Sequence, residues 1–535
     1  MNRHSAIVLH AHVPWVRNPS GEWCLEEDWF FQNTVESYLP LFERLFQMRE
    51  EGTPWALTID FSPTLLAMLQ DRIMIRRLLS FFDRTIKLAE AEMERHGAGP
   101  EGDLAEFYRD RYRRLRRLFV ESFNCDLVGA LIDLRDSGHL EITSSAATHG
   151  LLPLLLRVPE SVRTQIRAGM RSYVDVYQRT ARGFWLPECA MAPALGKVLK
   201  DEGFQWTIIE QHGMTHAHNA DERFPHTPGV TTDGLIIFGR CSECSSQVWH
   251  GSDGYPADPR YREFLRDVGH EAPIENLQEF LGDNQVRRFT GLKYYSKTGE
   301  THEKDLYDAE KAAMATEEHS VHFLNSVGAQ LAEAEAEGTK HPIAVCAFDA
   351  ELFGHWWFEG VDFLEAIFKR GADRPDFKFS HISEYLDTPD LELPNVTPTS
   401  SSWGEGGYFE TWMTDQNNWI YPELKSRGDN LARMVKMFID NRGIMPDEKV
   451  DHRKTCLSLL SKELLMAQSS DWGFLMNNEA SADFAKGKVQ KHLDAFDQIW
   501  EVCTSFGDLS AVEPLKAENP IFNDLPWDMY EPISS

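Results

Sequence analysis

Two short stretches set carboxylates among tryptophans. One is Gly183-Phe184-Trp185-Leu186-Pro187-Glu188, and the other is Phe348-Asp349-Ala350-Glu351-Leu352-Phe353-Gly354-His355-Trp356-Trp357. Each follows an apolar run that reads as a buried strand. An ionised carboxylate beside indole rings is costly to bury, so folding alone seldom favours the arrangement. Sugar chemistry does favour it, because indole faces stack on pyranose rings and a pair of carboxylates can break and remake a glycosidic bond.

Further polar groups stand where they could join such a site. His10-Ala11-His12 ends the first apolar run, and residues two apart on an extended chain project to one face. This pair reads first as sugar-hydroxyl binders, and otherwise as metal ligands of the amidohydrolase or deacetylase kind or as structural histidines. Thr143–Gly150 brings His149 into a run of small hydroxyl residues, which suits either a cavity-lining loop or a plain turn. Asp349 and Glu351 share a face if their strand continues, and Trp185 is either core or a sugar platform. Ser401–Tyr408 combines three glycines with Trp403 and Tyr408, and Trp412 follows. Glycines there let the backbone pass close to a ligand or turn tightly. Gln468–Trp472 sits at the end of a C-terminal helix, where Asp471 could cap or bind a sugar hydroxyl. Cys241-Ser-Glu-Cys244 is a lone C-x-x-C without the second pair a zinc site usually needs. No G-x-S-x-G, P-loop or post-strand G-x-G-x-x-G occurs, which removes the serine-hydrolase, ATPase and Rossmann readings.

The elements that must position these groups alternate. Strand-like runs span 6–10, 55–60, 140–144, 183–186, 207–210, 235–239 and 343–348, and helical patterns span 34–49, 161–179, 194–202 and 310–336. Such alternation predicts a parallel sheet, and polar residues gathered at strand C-terminal ends suit a barrel-like α/β enzyme. Residues 72–136 interrupt the rhythm as a charged helical insertion, whose basic run 108–117 reads as a solvated helix face. After about Pro394 the pattern turns to three helices, 418–441, 447–468 and 480–505.

The chain of 535 residues calls for more than one core. Its net charge of −30 argues against nucleic acid or an anionic membrane as partner, and a neutral polysaccharide would not feel that field. Eight thinly spread cysteines and the lack of a secretory h-region suggest a reducing, cytoplasmic setting. No apolar stretch approaches the ~20 residues of a membrane span.

Together the segments 9–14, 143–153, 183–190, 348–360, 401–412 and 468–474 resemble glycoside hydrolase family 57, and within it the 1,4-α-glucan branching enzymes, in the same order and over nearly the whole chain. The resemblance implies an α/β fold: a distorted (β/α)7 barrel over 1–395 with the 72–136 insertion, and a C-terminal α-helical bundle over 396–535. It implies Glu188 as nucleophile and Asp349 as general acid/base of a retaining reaction, for which carboxyl groups about 5–5.5 Å apart are expected. His10, His12, His149, Arg240, Ala257, His355, Trp357, Trp403, Trp412 and Asp471 would bind substrate, and Trp29 would offer a remote platform. Ala257 stands where relatives usually carry glycine. No cofactor and no metal is expected. The implied partner is an α-glucan of the amylose or glycogen type, acted on in glycogen biosynthesis by a monomer or small homo-oligomer. α-Amylase-type hydrolysis is the alternative, and a metal-dependent deacetylase using His10 and His12 a more distant one. Branching relatives carry a loop tyrosine that steers the acceptor; residues 211–239 contain none, and His226 stands near its place.

Overall fold

The computed structural model describes residues 2–20, 23–250, 252–282, 285–299, 301–478 and 481–533. Among them run the strands β1 (His4–Ala11), β2 (Leu57–Phe61), β3 (Leu140–Ser145), β4 (Gly183–Trp185), β5 (Trp206–Ile209), β6 (Gly229–Val230), β7 (Ile236–Gly239), β8 (Ile343–Asp349) and β9 (Lys378–Phe379). All seven runs read from the sequence are strands. The chain divides into two compact units that interleave along it. The first comprises Met1–Ile59, Leu65–Glu141 and Cys241–Leu391, and the second Asp60–Thr64, Ile142–Arg240 and Glu392–Ser535. Residues 142–240 group with the C-terminal helices in the second unit.

In the first unit β1 pairs in parallel with β8, from His4 opposite Ile343 to His10 opposite Asp349, and β9 adds to the start of β1. Every residue of β1 is buried, as are Ile343–Phe348, the burial on both faces that near-continuous apolar runs imply in parallel sheets. Helix Ala309–Ala336 leads into β8, capped by Asp308 through the N–H groups of Glu310 and Lys311. Helix Gly360–Gly371 leads away from it. Residues 72–136 hold helices Arg72–His96, Pro100–Arg117 and Leu127–Asp136, the first capped by Asp71. Their basic run is laced with ion pairs: Arg109 to Glu106 and Asp110, Arg113 to Glu90, Arg114 to Glu43 and Arg116 to Asp83. Arg111 instead lies over the Phe358 ring at 4.6 Å.

The predicted helix 34–49 is split. Glu27–Asn33 and Leu39–Glu50 are α-helical, and between them Thr34–Tyr38 forms a π-helical turn. Cys241 precedes helix Ser242–Trp249, and both Cys241 and Cys244 are buried. Hydrogen bonding to Cys244 and burial push the Cys241 thiol well up, so the C-x-x-C pair belongs to the core.

In the second unit β3, β4, β5 and β7 run parallel, with β6 antiparallel on the outside of β7. The C-terminal helices are Ile420–Asn441, Asp447–Ala467 and Ala482–Ser505; the expected start at Ala480 lies outside the described residues. Burial pushes Lys462 down to about 8. Its ammonium, wholly buried, is satisfied by the Asn519 carbonyl at 2.6 Å and Asn523 Oδ1 at 2.8 Å. It thereby ties the C-terminal tail to helix Asp447–Ala467.

Candidate active site

The first unit brings His10, His12, Asp349 and His355 to the C-terminal ends of β1 and β8. The parallel register sets His10 beside Asp349. The rings of His10 and His12 stack at 5.7 Å with 15° between their planes, as the two-residue spacing required. Both imidazoles offer nitrogens suited to sugar hydroxyls or to a metal ion.

β8 ends at Asp349, and Ala350–Leu352 turns into a 3-10 helix. The D-x-E alternation therefore breaks, and Glu351 points away from a shared face. Its buried carboxylate accepts the His12 main-chain N–H at 3.0 Å and the Tyr38 hydroxyl. His355 follows, with Nδ1 2.7 Å from Glu36 Oε2 and its own N–H donated to Ser37 Oγ at 3.1 Å. Burial alone would raise the Glu36 carboxyl, but the hydrogen bond and charge of His355, helped by Arg262 and Lys293, hold it below its ordinary value. Glu36, Ser37 and Tyr38 escaped the sequence reading. The available signal was the polar spacing Asp28, Gln32, Glu36 on a helix that buries all three.

The two adjacent tryptophans separate. Trp357, an expected sugar contact, is only 2% exposed and packs on Phe353, Tyr261 and Phe363. Trp356 is 55% exposed, with its ring 4.6 Å from that of Phe264. Ala257 closes the 3-10 turn Tyr255–Ala257 and lines a cavity of about 600 Å³ with Tyr255, Asp258, His319 and His322. Trp29 lies half-buried on helix Glu27–Asn33.

In the second unit Glu188 stands in the 3-10 turn Pro187–Cys189 after β4, with left-handed backbone angles (φ 61°, ψ 23°). Non-glycine residues in that region are strained, and such strain collects at functional sites. Its Oε2 accepts the indole N–H of Trp403 at 2.7 Å. Its Oε1 lies 3.9 Å from His149 Nδ1, which is itself 2.9 Å from Ser470 Oγ. His149 is also left-handed (φ 56°), and its carbonyl accepts the Ser470 N–H at 3.1 Å. The loop 143–150 is thus a fixed polar wall joined to the start of helix Ser470–Leu475.

Trp403 is held on two further sides. The Trp185 ring lies 5.2 Å away and is buried, which makes Trp185 core. The Arg240 guanidinium sits 5.5 Å above the Trp403 ring and is paired to Glu210 at 3.0 Å, a partner the sequence reading missed. Trp412 is 1% exposed, packed with Leu151, Ala190 and Phe409. Trp412, an expected substrate contact, thus lies buried against the Trp403 loop, 2.7 Å from where a Cβ on Gly404 would lie. Asp471 accepts the Ser469 hydroxyl and makes no helix cap. His226 is nine-tenths buried. The arrangement supplies a carboxylate, Glu188, held by an indole in one unit, and in the other Asp349 at a strand end in register with His10.

Comparison with known proteins shows the family. A family model described as Glycosyl hydrolase family 57 matches residues 6–398, and one described as 1,4-alpha-glucan branching enzyme, C-terminal, matches residues 430–530. A 1,4-alpha-glucan branching enzyme of Thermococcus kodakarensis is 30% identical over 93% of this chain and 73% of its own length. Among solved structures, an alpha-amylase from Thermotoga maritima superposes with a TM-score of 0.91 at 30% identity, covering all of both chains. A family-57-type branching enzyme from Pyrococcus horikoshii gives 0.86 at 28% identity, covering 100% of this chain and 98% of that one. The fold class is therefore the expected (β/α)7 type with a C-terminal helical domain.

Proposed function

Because the chain belongs to glycosyl hydrolase family 57, we propose that it is a 1,4-α-glucan branching enzyme, which cleaves an α-1,4 bond and moves the released chain to a glucan 6-hydroxyl. The observation that carries branching in particular is the match of residues 430–530 to the C-terminal domain of such enzymes.

In this reading Glu188, ionised, attacks the anomeric carbon while Asp349, protonated, donates to the departing glycosidic oxygen. A covalent glucosyl-enzyme forms through an oxocarbenium-like transition state. Asp349 then takes the proton of the acceptor hydroxyl as that oxygen attacks, and the retained linkage results. Trp403 supports the nucleophile's role, since its N–H fixes one carboxylate oxygen. His10, His12, His149 and His355 bind sugar hydroxyls around the reacting bond, and Arg240 and Asp471 contact the chain further out. Ala257 is assigned to a more remote contact along the cavity it lines.

α-Glucan hydrolysis is the second reading, favoured by the similarity to the Thermotoga alpha-amylase over both full chains and by the absence of tyrosine in 211–239. Incubation with amylose separates the two. Branching yields new α-1,6 linkages with few new reducing ends, and reducing ends without linkages overturn it. Among the described residues no helix is long and apolar enough to cross a membrane. The eight free cysteines support action in a reducing compartment, the cytoplasm, on a glycogen-like polysaccharide.

A further inference from the structure

The π-helical turn Thr34–Tyr38 addresses a single loop with three consecutive side chains. Glu36 meets His355 Nδ1 at 2.7 Å. Ser37 Oγ accepts the His355 N–H at 3.1 Å and donates to the Glu351 carbonyl at 3.4 Å. The Tyr38 hydroxyl bonds Glu351 Oε1, which also accepts the His12 N–H at 3.0 Å. A regular α-helix turns consecutive residues to different faces, whereas π-turns widen the helix and recur at functional sites. The loop presses onto this turn at Gly354, whose φ is +114° and whose added Cβ would lie 2.0 Å from the Glu36 carbonyl oxygen. The contact admits only glycine.

A carboxylate accepts and never donates. Glu36 is buried and faces Arg262 and Lys293 as well as His355, all of which favour its ionised form. His355 must therefore present Nδ1–H to it, which leaves Nε2 as the nitrogen open to other partners. We propose that Glu36 is a positioning residue that fixes the Nδ1–H tautomer of His355, so that Nε2 accepts a hydrogen bond from a glucan hydroxyl. The assignment of the glucan rests on the function proposed above; the tautomer does not.

The test combines spectroscopy with a kinetic cycle. In protein carrying 15N-histidine, the His355 resonance, identified by its loss in H355A, is expected to show a protonated Nδ1, and Glu36→Gln is expected to mix the tautomers. A wild-type His355 protonated on Nε2 overturns the proposal. Glu36→Gln keeps the volume of the side chain, and its melting curve is recorded beside that of wild type. Its kcat/KM on amylose is expected to fall roughly tenfold or more, the loss of one charge-assisted hydrogen bond. The same substitution in an H355A background is expected to cost nothing further, and Glu36→Asp to restore part of the rate. Equal losses in both backgrounds mean that Glu36 acts structurally and overturn the proposal. If wild type itself leaves amylose unchanged, the functional reading fails while the tautomer result still stands.

Discussion

The indole N–H of Trp403 is donated to Glu188 Oε2 at 2.7 Å, while the main-chain N–H of the same tryptophan bonds the glutamate's carbonyl at 3.1 Å. One residue thus holds both the backbone and the charged end of Glu188, the proposed nucleophile. Replacing Trp403 by Phe keeps the ring and removes the indole donor. A hydrogen bond to a charged group is worth about 1.5–3 kcal/mol. The expected result is a kcat/KM lower by roughly 10–100-fold with an unchanged melting temperature, read by amylose assays beside calorimetry.

Trp356 and Trp357 are expected to behave oppositely. Trp357→Ala empties a packed site among Tyr261, Phe353 and Phe363 and should cost about 3–5 kcal/mol of stability. Trp356→Ala removes an exposed ring and should leave the unfolding curve in place, while the KM for long glucans rises about tenfold, equivalent to ~1.4 kcal/mol. Denaturant titration and initial rates on the two variants check both halves.

The difference between these neighbours also marks where the sequence stopped being legible. Strands ending in His10, Asp60, Ser144 and Asp349 were readable because buried parallel strands are continuous apolar runs. The order of the polar groups after them was not. Once β8 gives way to a 3-10 turn at Ala350, the two-residue alternation no longer says which side chain faces where. Glu351 was expected beside Asp349 and instead anchors His12. Trp412 reads as a stacking face by its type, yet its burial depends on Leu151 and Ala190, more than 200 positions away. Glu36 was hidden for the same reason, being tied to its partner only by tertiary structure.

Gly404 has an ordinary φ, so its need for glycine comes from packing alone. A Cβ there would lie 2.7 Å from Cζ3 of the Trp412 ring. Gly404→Ala should push apart the loop that carries Trp403 and lower activity much as the loss of its indole donor does. The additional substitution Trp412→Leu should recover part of that loss by making room. A double variant no faster than Gly404→Ala would show that the steric account is wrong.

Burial raises the Asp28 carboxyl to about 7, against the pull of Arg288 and the Trp23 indole N–H at 2.6 Å. Between its ordinary value of 3.8 and about 7 the folded chain keeps a proton that the unfolded chain releases. Stability contributed by this group is therefore full at acidic pH and declines as pH rises through that window. Asp28→Asn should flatten the decline. Melting temperatures of both proteins at pH 4.5, 5.5, 6.5 and 7.5 check it, and parallel curves would refute the assignment.

The left-handed backbone at Glu188 has a consequence for variants of this enzyme. Its carboxylate is aimed by main-chain torsion as much as by its rotamer, so the direction it faces is built into the path of the polypeptide. An L-residue in that region costs about 1–2 kcal/mol relative to glycine. Glu188→Gly is expected to be inert on amylose and to melt no lower than wild type, and mutational screens scored by folding alone would count the loss of the proposed nucleophile as neutral or beneficial.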